Sequence, residues 1–233
     1  MTTEKEKLIV NETKQSLYGR TAWFYERAAH IFSGGQIRAS KQWQIQWLKP
    51  GQRVLYVGAG NGEDVIMAAK SGIQVTVVEL SKEMLTRLEV KLRKLELLDE
   101  VTLICGDAYE HRPEEAYDAL AANYFLNVFS EATMQKMLAH LLTLIKPDGV
   151  LLIADFAPAV INPIARFFQK LYYFSAVTAF HLIAKNPFHP LYDYAVYLEK
   201  LGFKLSDDQR FALFGFGPKW YRSMKIIQFR GLK

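Results

Sequence analysis

Between Arg53 and Asp155, short apolar and β-branched runs alternate with amphipathic stretches, and this alternation restricts the fold more than any other feature of the chain. The strand-type runs are Arg53 to Val57, Gln74 to Glu79, Val101 to Cys105, Tyr117 to Ala122 and Val150 to Asp155. Glu63 to Ser71, Ser81 to Leu95 and Ser130 to Ile145 fall between them with helical spacing, and Ser81 and Ser130 stand where N-caps belong. Strands alternating with helices predict βαβ units, whose right-handed crossovers set helices on both faces of a mostly parallel sheet. In such α/β sheets ligands bind at the carboxyl ends of the strands, near the switch point, so the strand ends are where chemistry is to be sought.

The flanks differ in character. Gln15 to Leu48 reads as helical, with Trp23, Phe24, Ile31, Phe32, Ile37, Trp43 and Trp47 forming an apolar stripe broken at Ser33-Gly34-Gly35, and Lys49-Pro50-Gly51 ends it. After Asp155 come helical stretches at Pro163 to Phe174, Ala176 to Lys185 and Leu191 to Leu201, then strand-type runs at Phe203 to Leu213 and Met224 to Phe229. The expected organisation is an N-terminal helical cap over residues 1–48 and one domain over 49–233, with a helical lid inserted at about 157–201 after the fifth strand. A chain of 233 residues, 50% hydrophobic and 23% charged, can bury a core without disulfides or metals. The apolar region from Ile153 to Ala184 is interrupted by Asp155, Arg166, Gln169, Lys170 and His181 too often for a membrane-spanning helix.

Charge and cysteine usage exclude several classes. The formal net charge is +5, but Lys and Arg are scattered and no nucleic-acid module is present, so nucleic acid is not an expected partner. Most of these cations read as a solvated surface. A weak attraction to anionic membranes is the sharper reading, because Lys and Arg recur beside aromatic residues in the C-terminal third. Cys105 has no partner in the chain and is expected to be buried and inert in its strand. Met1 to Lys7 is polar and charged rather than signal-like, so a cytoplasmic protein is expected, and no clustered metal-ligand spacing appears.

The strand ends carry the candidate site. The first runs into Val54-Leu55-Tyr56-Val57-Gly58-Ala59-Gly60-Asn61-Gly62, where alternate glycines let the backbone turn sharply and bring a ligand against bare main chain. The next pair, Glu63-Asp64, places carboxylates at a helix N-terminus that would otherwise hold a pyrophosphate, and the Gly-x-Gly-x-x-Gly spacing is missing. Both features oppose a nicotinamide-dependent oxidoreductase. S-adenosylmethionine (SAM) has no phosphate and carries a sulfonium cation, so it tolerates them. The second strand ends in Val77-Val78-Glu79-Leu80-Ser81, putting a carboxylate where it can accept from both ribose hydroxyls. The third ends in Cys105-Gly106-Asp107-Ala108, where Asp107 can accept from an adenine amino group or simply hold a turn. The fourth runs into Asn123-Tyr124-Phe125, and the fifth closes on Asp155-Phe156.

In this order, Val-Leu-Tyr-Val-Gly-Ala-Gly-Asn-Gly, Val-Val-Glu-Leu-Ser, Gly-Asp-Ala and Leu-Ile-Lys-Pro-Asp-Gly-Val-Leu-Leu-Ile-Ala-Asp-Phe resemble the class I SAM-dependent methyltransferases over about Gln52 to Phe156. The resemblance implies a Rossmann-like, seven-stranded, mostly parallel sheet whose last strand is antiparallel. It places the cofactor against Tyr56, Gly58, Ala59, Gly60, Gly62, Glu79, Leu80, Asp107, Ala108 and Asn123. A narrower likeness is to the quinone-ring C-methyltransferases of ubiquinone and menaquinone synthesis, whose entry segment resembles Tyr25-Glu26 with Ser33, Gly35, Arg38 and Lys41. Ala29, Ile37 and Ser40 depart from the asparagine, histidine and tryptophan usual there. Tyr56 departs from the acidic residue that opens the family's glycine motif, and Glu63, Asp64 or a backbone carbonyl is expected to compensate.

Methyl transfer from a sulfonium is an in-line displacement that depends mainly on alignment. A phenol or acidic ring carbon as acceptor would add a need for a base, for which Asp155, His181 and His189 are the candidates. The aromatic series Phe167, Phe168, Tyr172, Tyr173, Phe174, Phe180, Phe188, Tyr192, Tyr194 and Tyr197 reads either as core or as an apolar lid over a small hydrophobic, aromatic or lipid-like acceptor. The alternative from another class is a non-catalytic scaffold with the SAM fold, which the Tyr56 replacement keeps open.

Overall fold

The computed structural model describes residues 31–58, 60–158, 162–184 and 191–229, with the side chains at 176, 177 and 179–184 outside that description. Seven strands form one sheet in the order β3-β2-β1-β4-β5-β7-β6. They are β1 (Arg53–Val57), β2 (Gln74–Glu79), β3 (Val101–Cys105), β4 (Tyr117–Ala121), β5 (Ile145–Phe156), β6 (Phe203–Phe211) and β7 (Tyr221–Gln228). β1 to β5 pair in parallel, and β7 lies antiparallel between β5 and β6. The seven-stranded sheet with one reversed last strand is therefore present as expected.

Both faces of the central strands are covered, which is why β1, β4 and β5 read as nearly continuous apolar runs. On one face Val54, Tyr56, Val75, Val77, Ala119 and Leu152 pack against α2 (Glu63–Lys70) and α3 (Lys82–Lys94), through Val65, Ala68, Leu88 and Leu92. On the other, Leu55, Val57, Leu120, Leu151, Ile153 and Ile226 meet α4 (Glu131–Thr143) and α6 (Tyr194–Lys200), through Met134, Leu138, Leu141 and Leu198. Ser81 and Ser130 are the N-caps, their Oγ atoms accepting from Met84 N at 3.3 Å and Thr133 N at 3.4 Å.

Three sequence expectations are corrected. Cys105 is exposed, because β3 is an edge strand and Cys105 its last residue. The two helices expected at Pro163 to Phe174 and Ala176 to Lys185 are one, α5 (Pro163–Ala184). Ser175 does not break it, because its hydroxyl donates to Tyr172 O at 2.7 Å within the helix. Leu191 to Leu201 shortens to α6, which begins after Asp193.

The segment before β1 is held against the sheet. Gly34 and Gly35 take positive φ (57° and 82°), ending the turn from which α1 (Gln36–Trp43) starts. The buried Ser40 hydroxyl meets Tyr124 Oη at 2.9 Å, Trp43 stacks edge-on to Phe211, and Trp47 Nε1 donates to Asp207 Oδ2 at 3.1 Å. From β7, the Ser223 hydroxyl donates to the Ser40 carbonyl, while the Gln44 N–H that could have reached that carbonyl turns to Lys41 O and Gln42 O. Ser223→Ala therefore strands a buried carbonyl, and chemical denaturation should show a loss of about 1–3 kcal/mol.

Candidate functional site

The parallel register brings Val57, Val78 and Ile104 into one row, so β1, β2 and β3 end level and their following loops line one edge. Gly58, Gly60 and Gly62 all lie in the left-handed region (φ 78°, 50° and 72°), which lets the chain turn sharply from β1 into α2. Gly62 is also fixed by packing, since a Cβ there would sit 2.4 Å from Leu88 Cδ1. Gly58 N donates to Val78 O at 2.9 Å, and Lys91 Nζ donates to Asn61 O at 2.7 Å, tying the loop to β2 and α3.

The carboxylates at the next two strand ends are held by backbone. Glu79 Oε1 accepts from Ser81 N at 2.8 Å, and Asp107 Oδ1 accepts from Tyr109 N at 2.8 Å. Gly106 N donates to Glu79 O at 3.1 Å, joining the two ends. Leu80 is partly exposed beside them and Ala108 is buried. Bare backbone followed by two ordered acceptor carboxylates suits a nucleoside with a diol and an exocyclic amine, and the acids opening α2 do not suit a phosphate. These residues thus fit SAM: the glycine loop would lie against its methionine part, Glu79 would accept from the ribose and Asp107 from the adenine.

At the loop's far end lies a network only partly expected. Lys41 Nζ, from α1, pairs with Asp64 Oδ1 at 2.8 Å, with both side chains largely buried (12% and 3% exposed). Asp64 Oδ2 accepts from Asn123 Nδ2 at 3.0 Å, and Asn123 Oδ1 accepts from Ala154 N at 2.9 Å. Arg38 pairs with Glu63 at 2.8 Å. Both carboxylates expected to compensate for Tyr56 are thus already neutralised by cations of the entry segment, and Asn123 braces α2 against β5. Tyr56 itself is 2% exposed in the apolar cluster, and its hydroxyl has no hydrogen-bond partner among the described residues. Burial, with the Asp64 charge adding to it, pushes the phenol well above its usual range, so it stays neutral.

Asp155, at the end of β5, accepts from Asn127 Nδ2 at 2.6 Å, Phe156 N at 2.7 Å and Tyr194 Oη at 2.6 Å. Burial pushes its carboxyl up to about 6 from the usual 3.8, against the lowering effect of those three donors. Sequence reasoning did not single out Asn127 or place Tyr194 against Asp155; a lone polar residue after an apolar strand carries no period that would point to a partner. Beyond Asp155 an aromatic cluster forms the wall: Tyr124 and Tyr173 stand edge-on to Phe156, and Tyr172 Oη shares a hydrogen bond with Tyr221 Oη and donates to Phe32 O at 2.7 Å. Ala59, His189, the His181 side chain, Phe188, the Phe180 side chain and the Tyr25-Glu26 segment lie outside the described residues.

Residues 54–149 match the family model described as "Methyltransferase domain". The chain is 26% identical over 169 residues to the ubiquinone/menaquinone biosynthesis C-methyltransferase UbiE of Vibrio campbellii, covering 69% of this chain and 61% of that one. It is 30% identical over 142 residues to the demethylmenaquinone methyltransferase of Renibacterium salmoninarum, covering 60% and 56%. The chain thus matches less than two thirds of the length of either. The solved magnesium protoporphyrin IX methyltransferase of Synechocystis, with bound SAH, superposes with a TM-score of 0.69 at 18% identity over 95% of this chain and 99% of that one.

Two outcomes follow. Lys41→Met leaves the Asp64 charge buried and unpaired and should cost about 3 kcal/mol in denaturant unfolding, much of which Lys41→Met with Asp64→Leu should restore. For Asp155, the folded value lies above the unfolded one, so its favourable contribution is full below the unfolded value and is lost as pH rises through about 6. Between pH 7.5 and 5 the stability of the wild type relative to Asp155→Asn should therefore rise by about 1 kcal/mol, read from melting curves.

Proposed function

We propose, from the premise that this chain is a class I SAM-dependent methyltransferase related to the ubiquinone/menaquinone C-methyltransferases, that it methylates a small hydrophobic acceptor of aromatic, quinone-precursor-like character. The observation that carries the reading is the level row of strand ends, which sets the Gly58–Gly62 turn, Glu79 and Asp107 along one edge beside an aromatic wall. As the cap of this site we propose residues 1–48 and as its lid about 157–201, of which 1–30, 159–161 and 185–190 lie outside the described residues.

When bound, SAM supplies a methyl group already activated on its sulfonium. The chain's work is then to orient and exclude water. Glu79 and Asp107 fix the nucleoside by accepting hydrogen bonds, and the Lys41–Asp64–Asn123 network holds α2 and the strand ends of β4 and β5 in register beneath the glycine turn. Tyr124, Phe156 and Tyr173, all half-buried, offer an apolar, aromatic surface to a flat acceptor, with the buried Tyr221 packed behind Phe156. For an acceptor that loses a proton, the base we assign is Asp155, ionised above about pH 6 and oriented by Asn127 and Tyr194. His181 and His189 are the bases that the lid would contribute.

Calorimetric titration with SAM and with S-adenosylhomocysteine tests the reading. The wild type should bind both, and Glu79→Ala should weaken binding by about tenfold or more, the value of a hydrogen bond to a charged group. A wild type that binds neither would overturn the enzyme reading and make the partnerless Tyr56 hydroxyl the mark of a lost site, favouring a scaffold that uses the same fold.

A further inference from the structure

We infer that the outer face of α5 and the adjoining 214–219 turn form a docking surface for an anionic lipid bilayer. Ile164, Phe167, Phe168, Leu171 and Phe174 recur at helical spacing on one face of α5, and all five are 54–70% exposed. The opposite face is engaged: Gln169 Nε2 donates to Ala157 O at 3.1 Å, and Tyr172 reaches Phe32 and Tyr221. Among the described residues the apolar stripe is thus a side that the fold leaves outward, while Gln169 and Tyr172 turn inward. Beside it Asn162, Ile164, Ala165, Phe168, Pro218 and Trp220 line an open, almost wholly apolar cleft of about 550 Å³. Pro218 belongs to the turn that carries Phe216, 89% exposed, and Phe214, also exposed.

Charge selects the occupant. Arg166 and Lys170 lie on α5 along one border of the stripe, and Lys219 is exposed on the turn. The sequence holds no Asp or Glu between Asp155 and Asp193, and none after Asp208. Exposed phenylalanines edged by cations, on stretches of chain without carboxylates, match a surface of acyl chains beneath anionic headgroups. A protein partner with a basic rim would be repelled, and a helix carrying this stripe would lie in the interface rather than cross it; among the described residues no helix is long and apolar enough to span a membrane. The proposed function enters only in explaining the benefit, since a lipophilic acceptor resides in such a bilayer.

Co-sedimentation with phosphatidylcholine vesicles, with and without phosphatidylglycerol, tests this on the full chain. The wild type should pellet with the anionic vesicles, bind neutral ones more weakly, and be partly released by added salt. Phe167→Ser with Phe168→Ser should lower binding about tenfold or more, and Arg166→Glu with Lys170→Glu should remove the preference for anionic lipid. Both variants should keep wild-type melting, since these side chains are exposed. The inference is overturned if the wild type ignores anionic vesicles, if folded variants bind as the wild type does, or if light scattering shows a dimer that the Phe167→Ser, Phe168→Ser pair dissolves. Loss of SAM binding by the wild type, with vesicle binding intact, would instead overturn the proposed function alone.

Discussion

The Lys41–Asp64 ion pair, extended by Asn123, joins three parts of the chain at one buried point. Lys41 comes from the helix ahead of the first strand, Asp64 from the first turn after the glycine loop, and Asn123 links that carboxylate to the backbone of β5. A buried charge pair costs desolvation, and its geometry must be good before attraction offsets that cost. Here Asp64 has both oxygens engaged, so the pair acts as a specifying contact: displacement of any one partner leaves a charge in an apolar setting. The glycine turn is consequently suspended between fixed points, with Lys91 holding Asn61 from the other side.

Around that fixed point the molecule divides by chemistry. The half built on β1, β2 and β3 offers backbone and ordered carboxylates, the equipment for a nucleoside. The half built on β5, β7 and α5 offers rings, with Tyr124, Phe156, Tyr172, Tyr173 and Tyr221 in mutual contact and few charges. Asp155 is the exception, an acid whose carboxyl burial pushes up to about 6 and which three donors orient. A polar cofactor half meeting an aromatic half is the arrangement that a transfer from a charged donor to an apolar acceptor requires.

The tyrosine at position 56 shows how local chemistry and fold can part company. Its place in the motif suggests a ligand contact, yet its ring points into the α2–α3 face and serves as core. Period-2 alternation along β1 puts Val54 and Tyr56 on that face and Leu55 and Val57 on the other, so the inward position follows from the pleat. The buried phenol oxygen, without a partner among the described residues, is the cost of filling that position with an aromatic side chain that carries a hydroxyl.

The sequence by itself determined the strands, their alternation with helices, the N-caps at Ser81 and Ser130, and the glycine turn with its following carboxylates, because each is a short-range signal: periodicity, a cap or a required positive φ. Glu79 and Asp107 were legible as strand-end acids for the same reason. Contacts between residues far apart in the chain came from the three-dimensional packing alone. They include Lys41 with Asp64, Ser40 with Tyr124 and Ser223, Asp155 with Asn127 and Tyr194, the exposure of Cys105 on an edge strand, and the outward turn of the α5 stripe. An apolar period on a helix states that one face is apolar, and a strand run states that alternate residues agree. Neither states what lies opposite, since the facing surface is assembled from other segments by sheet order and packing.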